Sequence, residues 1–122
     1  MIIDAHNHVL AAGLPATSVV GANDQMVIGF VRGLRTAGVS VPDDVSVVGY
    51  DDVAPCTLVE PPITTVHVPL YELGTLGMRL ALDLLAGAPR PRRKELPLAL
   101  VVRATTGAPR PRRPSITRRT SP

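Results

Sequence analysis

The sequence predicts an α/β fold: a sheet on a parallel βαβ core, followed by a basic, disordered C-terminal tail. Three observations carry this. Two short β-branched runs, TSVVGA (17–22) and VSVVG (45–49), flank a segment of helical periodicity. Apolar residues make up 45% of the 122, enough for a modest core, yet only three are aromatic and none is Trp. Charge is also unevenly divided: residues 1–89 hold three Arg against nine Asp and Glu, whereas residues 90–122 hold nine Arg and Lys94 against Glu95 alone. The net charge of +3 therefore joins an acidic folded part to a strongly basic end. The apolar content excludes a chain disordered throughout, and the scarcity of aromatic rings excludes an aromatic-platform binder of RNA or sugar.

Each element follows in order. Residues 17–22 read as a buried strand, bounded by Pro15 and by the polar Asn23, Asp24 and Gln25. A helix is predicted over 24–37, where Val27, Val31 and Leu34 recur at steps of four and three with Met26 and Phe30 alongside. Asn23 can cap its free N–H groups and Gly38 supplies a left-handed stop. The turn VPDD (41–44) leads into a second buried strand, 45–49. Two strands joined by one helix form a βαβ unit, with parallel strands and a right-handed crossover. Residues 50–62 are a loop with three prolines, and 63–68 (ITTVHV) an extended crossing segment. A second helix spans 70–86, its stripe formed by Leu73, Leu76, Leu80 and Leu84, and Gly87 and Pro89 end it. Residues 96–103 (LPLALVVR) are a last short strand, and beyond Gly107 the composition is that of a disordered tail. The heptapeptide GAPRPRR occurs at 87–93 and again at 107–113; two copies of seven residues are too short for a solenoid unit.

Compartment follows from what the chain lacks. Cys56 is its single cysteine, so no intrachain disulfide can form and a reducing compartment is expected. The opening MIIDAHNHVL has no basic n-region, and no stretch approaches eighteen uninterrupted apolar residues. A soluble, cytoplasmic chain without a membrane partner is the expectation.

Three constellations could carry chemistry. His6 and His8 follow an apolar Met-Ile-Ile, and a strand ending in His-x-His points both rings to one side, as a divalent metal requires. This opening resembles the first strand of the amidohydrolase superfamily. That fold is a barrel of about 250 residues needing further ligands, and only His67 remains here. A solvated N-terminal stub over 1–13 outweighs a metal-dependent hydrolase fragment, and no metal or catalytic residue is assigned. Asn23 and Asp51 stand beyond the carboxyl ends of the two predicted parallel strands, the edge where open α/β sheets take ligands. An amide that donates and accepts, with a carboxylate that accepts, suits a polyhydroxylated or heterocyclic molecule. The competing reading makes Asn23 a helix cap and Asp51 a turn residue. The Arg-Pro tail, 108–122, suits salt-sensitive, non-specific contact with nucleic-acid phosphate, or plain solvation.

Several linked strings then resemble one family. GANDQM (21–26), LRTAGV (34–39), VPDDVSVVGYDD (41–52), PPITTV (61–66), ELG (72–74) and LALVVRATT (98–106) are similar, in order and spacing, to the LacI/GalR family of bacterial transcriptional repressors. The resemblance covers about residues 14–108. It implies a partial periplasmic-binding-protein-like lobe, the effector-binding and dimerisation region, over 14–107, and a regulator rather than an enzyme. In that family two lobes close over a sugar or nucleobase effector and thereby set the geometry of a DNA-binding headpiece. Asn23 and Asp51 match the ligand contacts, and Val27, Ile28, Arg32, Leu58 and Val59 the homodimer interface. No cofactor is implied. The headpiece and the first lobe are not recognisable, so the chain reads as roughly the last third of such a regulator, with DNA binding only through a headpiece absent here. In the family, 63–68 crosses to the first lobe and the 70–86 helix packs there, so apolar patches around Phe30 and Leu80 are expected to lie exposed. Where the crossing segment commonly ends in a polar ligand contact this chain has Val68, Pro69 and Leu70, with His67 as a polar substitute. Half a cleft cannot close, so effector binding by this chain alone is expected to be weak or absent.

Overall fold

A four-stranded sheet in the order β1-β2-β3-β4 organises the computed structural model, which describes residues 16–89 and 93–109. The strands are β1 (Ser18–Val20), β2 (Ser46–Asp51), β3 (Thr64–His67) and β4 (Ala99–Val101), and the helices α1 (Asp24–Thr36) and α2 (Leu70–Leu85). β1 and β2 run parallel, Ser18 opposite Ser46, as the βαβ pattern predicts. β3 adds parallel to β2, Val48 opposite Thr64 and Asp51 opposite His67. β4 closes the other edge antiparallel to β3. A 3-10 turn, Ala54–Thr57, sits inside the proline-rich loop, and the peptide bonds before Pro42 and Pro61 are cis.

The core lies between α1 and the sheet. Val27, Phe30, Val31 and Leu34 descend from one helix face onto Val45, Val47, Cys56 and Ile63. Asn23 caps the helix, its Oδ1 accepting the Met26 N–H at 2.9 Å. Gly38, at φ +77°, takes the left-handed conformation that stops it.

Four expectations need correction. The first strand is three residues at a sheet edge, and Val20 is 76% exposed rather than buried, because no element among the described residues covers it. Residues 63–68 are more than a crossing: Thr64–His67 form strand β3, Thr64 and Thr65 are buried, and their hydroxyls bond Thr106 and the Asp24 carboxylate of α1 respectively. The last strand shortens to three residues. Phe30 is covered, at 6% exposure, by the α1–sheet core. The expectation for α2 stands, since it has no buried residue and Leu73, Met78, Leu82 and Leu85 face outward. Its amphipathic stripe, legible in the sequence, is left half-buried at Leu76 and Leu80 and exposed at Leu73 and Leu84. His6, His8, Arg90 to Arg92 and residues 110–122 lie outside the described residues.

Cys56 is fully buried within the 3-10 turn. Burial, then a hydrogen bond from the thiol to the Asp24 carboxylate, pushes its pKa up to about 12. Thiolate is the reactive form. Ellman's reagent at mildly alkaline pH should therefore leave the folded chain unlabelled and label one thiol in guanidinium. Rapid labelling without denaturant would show that the core around Cys56 opens.

Candidate functional site

The carboxyl edge of the sheet gathers the polar side chains. β2 runs on to Asp51, which the sequence placed in a loop, and its register partner on β3 is His67. Asp51 at φ +114° and Asp52 at φ +61° hold a backbone region that side-chain-bearing residues rarely adopt. Such strain costs of order 1–3 kcal/mol per residue and gathers at ligand sites. The Asp51 carboxylate is half-buried and has no hydrogen bond or ion pair among the described residues. Asn23 is half-buried at the start of α1. With Oδ1 committed to the cap, it offers the NH₂ group, so the two readings of Asn23 are compatible: one amide end caps and the other stays available.

Behind this edge stands a network that composition did not announce. Arg103 donates to Asp52 Oδ1 at 2.6 Å and to the Ile63 carbonyl at 2.8 Å. Asp52 Oδ2 takes His67 Nδ1 at 3.0 Å. The Arg103 guanidinium, with a lesser contribution from His67 and against partial burial, holds the Asp52 carboxyl below the usual carboxylate range. In the sequence Arg103 is one of nine Arg in the basic end; only β4 pairing with β3 brings it to the sheet edge.

A second hidden residue is Asp24. It is fully buried, and accepts the Thr65 hydroxyl at 2.5 Å and the Val53 N–H at 2.9 Å. It thus ties the start of α1 to β3 and to the loop after Asp52. Gly49 makes room: a Cβ there would stand 2.1 Å from Asp24 Oδ1 and 3.2 Å from Thr65 Oγ1. An acid in the first helical turn is legible from sequence as a favourable helix-dipole contact, but its burial is not.

The residues matched to a subunit contact divide. Val27 is 1% exposed and belongs to the core, because α1 turns that side chain onto the sheet; it cannot meet another subunit. Ile28, Arg32 and Val59 line a hollow of about 250 Å³ with Val31, Arg35, Glu60 and Ile63. Leu58, beside Val59 in the chain, is 82% exposed. The structure thus brings Ile28, Arg32 and Val59 to one place, with Leu58 standing out from the adjoining loop.

Comparisons with known proteins identify the fold. The model of the periplasmic binding protein-like domain matches residues 2–106, a span that takes in His6 and His8. The HTH-type transcriptional regulator MalR of Streptomyces coelicolor is 40% identical over 95 residues, 77% of this chain and 28% of that protein. The lactose operon repressor of Escherichia coli K12 is 37% identical over 98 residues, 80% of this chain and 27% of the relative. That of Rhizobium radiobacter is 31% identical over 97 residues, covering 80% of this chain and 86% of the relative. The chain thus spans between a quarter and a third of the first two of these relatives. Among solved structures, the lac repressor dimer bound to operator and the anti-inducer ONPF superposes with a TM-score of 0.81 at 34% identity. It covers 88% of this chain and 37% of that one. The complex of the transcriptional regulator CelR with cellobiose gives 0.79 at 35% identity, covering 85% and 32%. These relatives are regulators, and none supports the amidohydrolase reading. On the domain match, the identities and the shared fold, the chain belongs to the LacI/GalR family of transcriptional regulators, as part of its periplasmic-binding-protein-like effector domain.

Proposed function

We propose that this chain supplies one wall of the effector site and the subunit contact of a sugar-responsive transcriptional regulator of the cytoplasm, with no enzymatic activity. The observation that carries the proposal is the placement of Asn23 and Asp51 at the carboxyl ends of the adjacent parallel strands β1 and β2. An amide N–H and a carboxylate match the acceptor and donor sides of sugar hydroxyls. Relatives solved with cellobiose, lactose and ribose support a sugar over a nucleobase. A homodimer through Ile28, Arg32, Leu58 and Val59 is in keeping with relatives solved as dimers. Operator reading requires an element seated in a groove, and residues 16–89 and 93–109 hold no helix-turn-helix. DNA contact is therefore assigned to a headpiece outside them. In the intact regulator, effector shifts the population of lobe arrangements and so operator affinity. One wall alone makes only its own share of the contacts.

The test combines sedimentation with sugar titration of the full chain. A dimer is expected, with Leu58→Arg giving a folded monomer. Ribose, lactose and cellobiose should move the Asn23 and Asp51 amide resonances with a Kd weaker than about 1 mM, and Asp51→Ala should abolish the response. Micromolar affinity would contradict a single open wall. A monomer unaffected by Leu58→Arg would remove the subunit contact, and silence to all three sugars would remove the effector site.

A further inference from the structure

We propose that the C-terminal arginine-proline tail folds back, within the same chain, onto a hollow at the amino edge of the sheet, where the Arg110, Arg112 and Arg113 side chains meet the carboxylates of Asp43 and Glu60. The docking requires neither effector nor a second subunit.

The hollow measures about 380 Å³ and lies between the turn that follows α1 and the proline-rich loop before β3. Val31, Val39, Val41 and Pro61 give it apolar sides, and Asp43 and Glu60 stand on its border. Both of these acids are exposed, and neither carboxylate has an ion-pair partner among the described residues. Arg35 also borders the hollow, but it donates to the Glu60 carbonyl at 3.2 Å and to neither carboxylate. The site therefore offers apolar walls and two unpaired negative charges.

The chain itself delivers an occupant to this place. Gly107 donates its N–H to Ser46 Oγ at 3.2 Å, and a Cβ added to it would meet the Pro42 ring at 3.4 Å. Pro42 sits between Val41 and Asp43, both of which border the hollow. Arg110, Arg112 and Arg113 follow Gly107 by three, five and six residues. At no more than about 3.6 Å per residue they stay within roughly 22 Å of it. So short a tether keeps the arginines at an effective concentration of order millimolar beside the carboxylates.

Tail and hollow are complementary in charge and in shape of side chain. Residues 110–122 carry five Arg and no acid. Guanidinium groups match carboxylates, while the rings of Pro109, Pro111 and Pro114 suit the valine and proline walls. Each proline also restricts the free chain, so docking orders fewer conformations. The other GAPRPRR copy leaves the end of α2 instead, so position rather than composition selects the second copy. Val31, Arg35 and Glu60 border both this hollow and the adjoining one that holds Ile28, Arg32 and Val59. The seated tail thus lies along the flank of the face proposed for the subunit contact.

Paramagnetic broadening in the ¹⁵N-labelled full chain provides the test. Ser115→Cys carries one nitroxide just past the arginines, because buried Cys56 stays unlabelled in the folded protein. The amides of Arg35, Val39, Val41 and Glu60 should broaden more than those of α2. Each exposed ion pair shifts an equilibrium about 1.5- to 5-fold, so Asp43→Asn with Glu60→Gln should lower the docked-to-free ratio about 2- to 25-fold. Changing Arg110, Arg112 and Arg113 to Gln, which touches no part of the described fold, should do the same. Raising NaCl from 0.1 M to 1 M shortens the screening length from about 10 Å to about 3 Å and should also release the tail. Changing Arg90, Arg92 and Arg93 to Gln should leave the broadening as it was. Broadening that survives both salt and the carboxylate changes would reduce the tail to a tethered, undocked chain and overturn the proposal. An equal loss on changing the first arginine copy would overturn it in favour of bulk charge. Broadening of an isotope-labelled copy by a separate spin-labelled copy would overturn docking within one chain.

Discussion

Asp24→Ala is expected to cost about 3–5 kcal/mol, a large part of the roughly 5–15 kcal/mol that holds a small domain folded. The side chain is fully buried and serves three donors: the Thr65 hydroxyl, the Val53 N–H and the Cys56 thiol. Alanine leaves all three facing a low-dielectric gap, and each unsatisfied buried donor costs about 1–3 kcal/mol, least for the thiol. The gap also detaches the start of α1 from β3 and frees the loop that carries Asp52. Urea unfolding followed by circular dichroism would read this as a midpoint about 2–3 M lower, at the denaturant sensitivity usual for this size. Asp24→Asn keeps one acceptor oxygen and turns an NH₂ toward a donor, so an intermediate loss is expected. An alanine variant within about 1 kcal/mol of the parent would show that the buried carboxylate is dispensable.

Thr105→Val is expected to cost about 2–3 kcal/mol, although it replaces the residue with one of nearly the same shape. Thr105 is fully buried. Its hydroxyl donates to the Val47 carbonyl at 2.7 Å and accepts the Thr64 N–H at 2.9 Å, so it bridges β2 and β3 at their amino ends. Its own carbonyl accepts the Val47 N–H at 2.8 Å. Valine leaves a sheet N–H and a sheet carbonyl without their hydroxyl partner. The segment around it is held by Ala104 N–H to the Pro62 carbonyl and by Gly107 N–H to Ser46 Oγ. Loosening it also loosens Arg103 and the support behind His67. Thr105→Ser keeps the hydroxyl and should stay within about 1 kcal/mol of the parent apart from a small packing loss. Amide exchange at Thr64 should accelerate in the valine variant alone; equal stability of the two variants would assign the segment a passive role.

The elements whose signals are local were legible. The βαβ unit, the Asn23 cap, the Gly38 stop and the apolar face of α1 all follow from periodicity and turn chemistry within a few residues. The edge positions of Asn23 and Asp51 were legible because each follows a short β-branched run in the sequence. Extending β2 through Tyr50 and Asp51 was not, because that extension depends on pairing with Val66 and His67 on β3. The exposure of β1 was missed for a related reason: VV reads as a buried strand, but burial depends on which elements flank it, and β1 lies at the edge. Val27 shows the limit at single-residue scale. Its neighbour Ile28 reaches the hollow by Val59 while Val27 points into the core, a rotation of about 100° along the helix.

What the amino-acid order determined by itself is the class of fold and the family, since short-range patterns and linked motifs report them directly. The uneven charge, acidic before residue 90 and basic after it, was equally plain. The tertiary structure decided which charges matter. It took Arg103 out of the basic end and set it on Asp52, and it buried Asp24 between Thr65, Val53 and Cys56. These partners lie 29 to 51 residues apart in the chain wherever a hydrogen bond joins them to the described strands and loop. A carboxylate becomes a scaffold only when folding removes its water and supplies donors in place, and no pattern along the chain records that exchange.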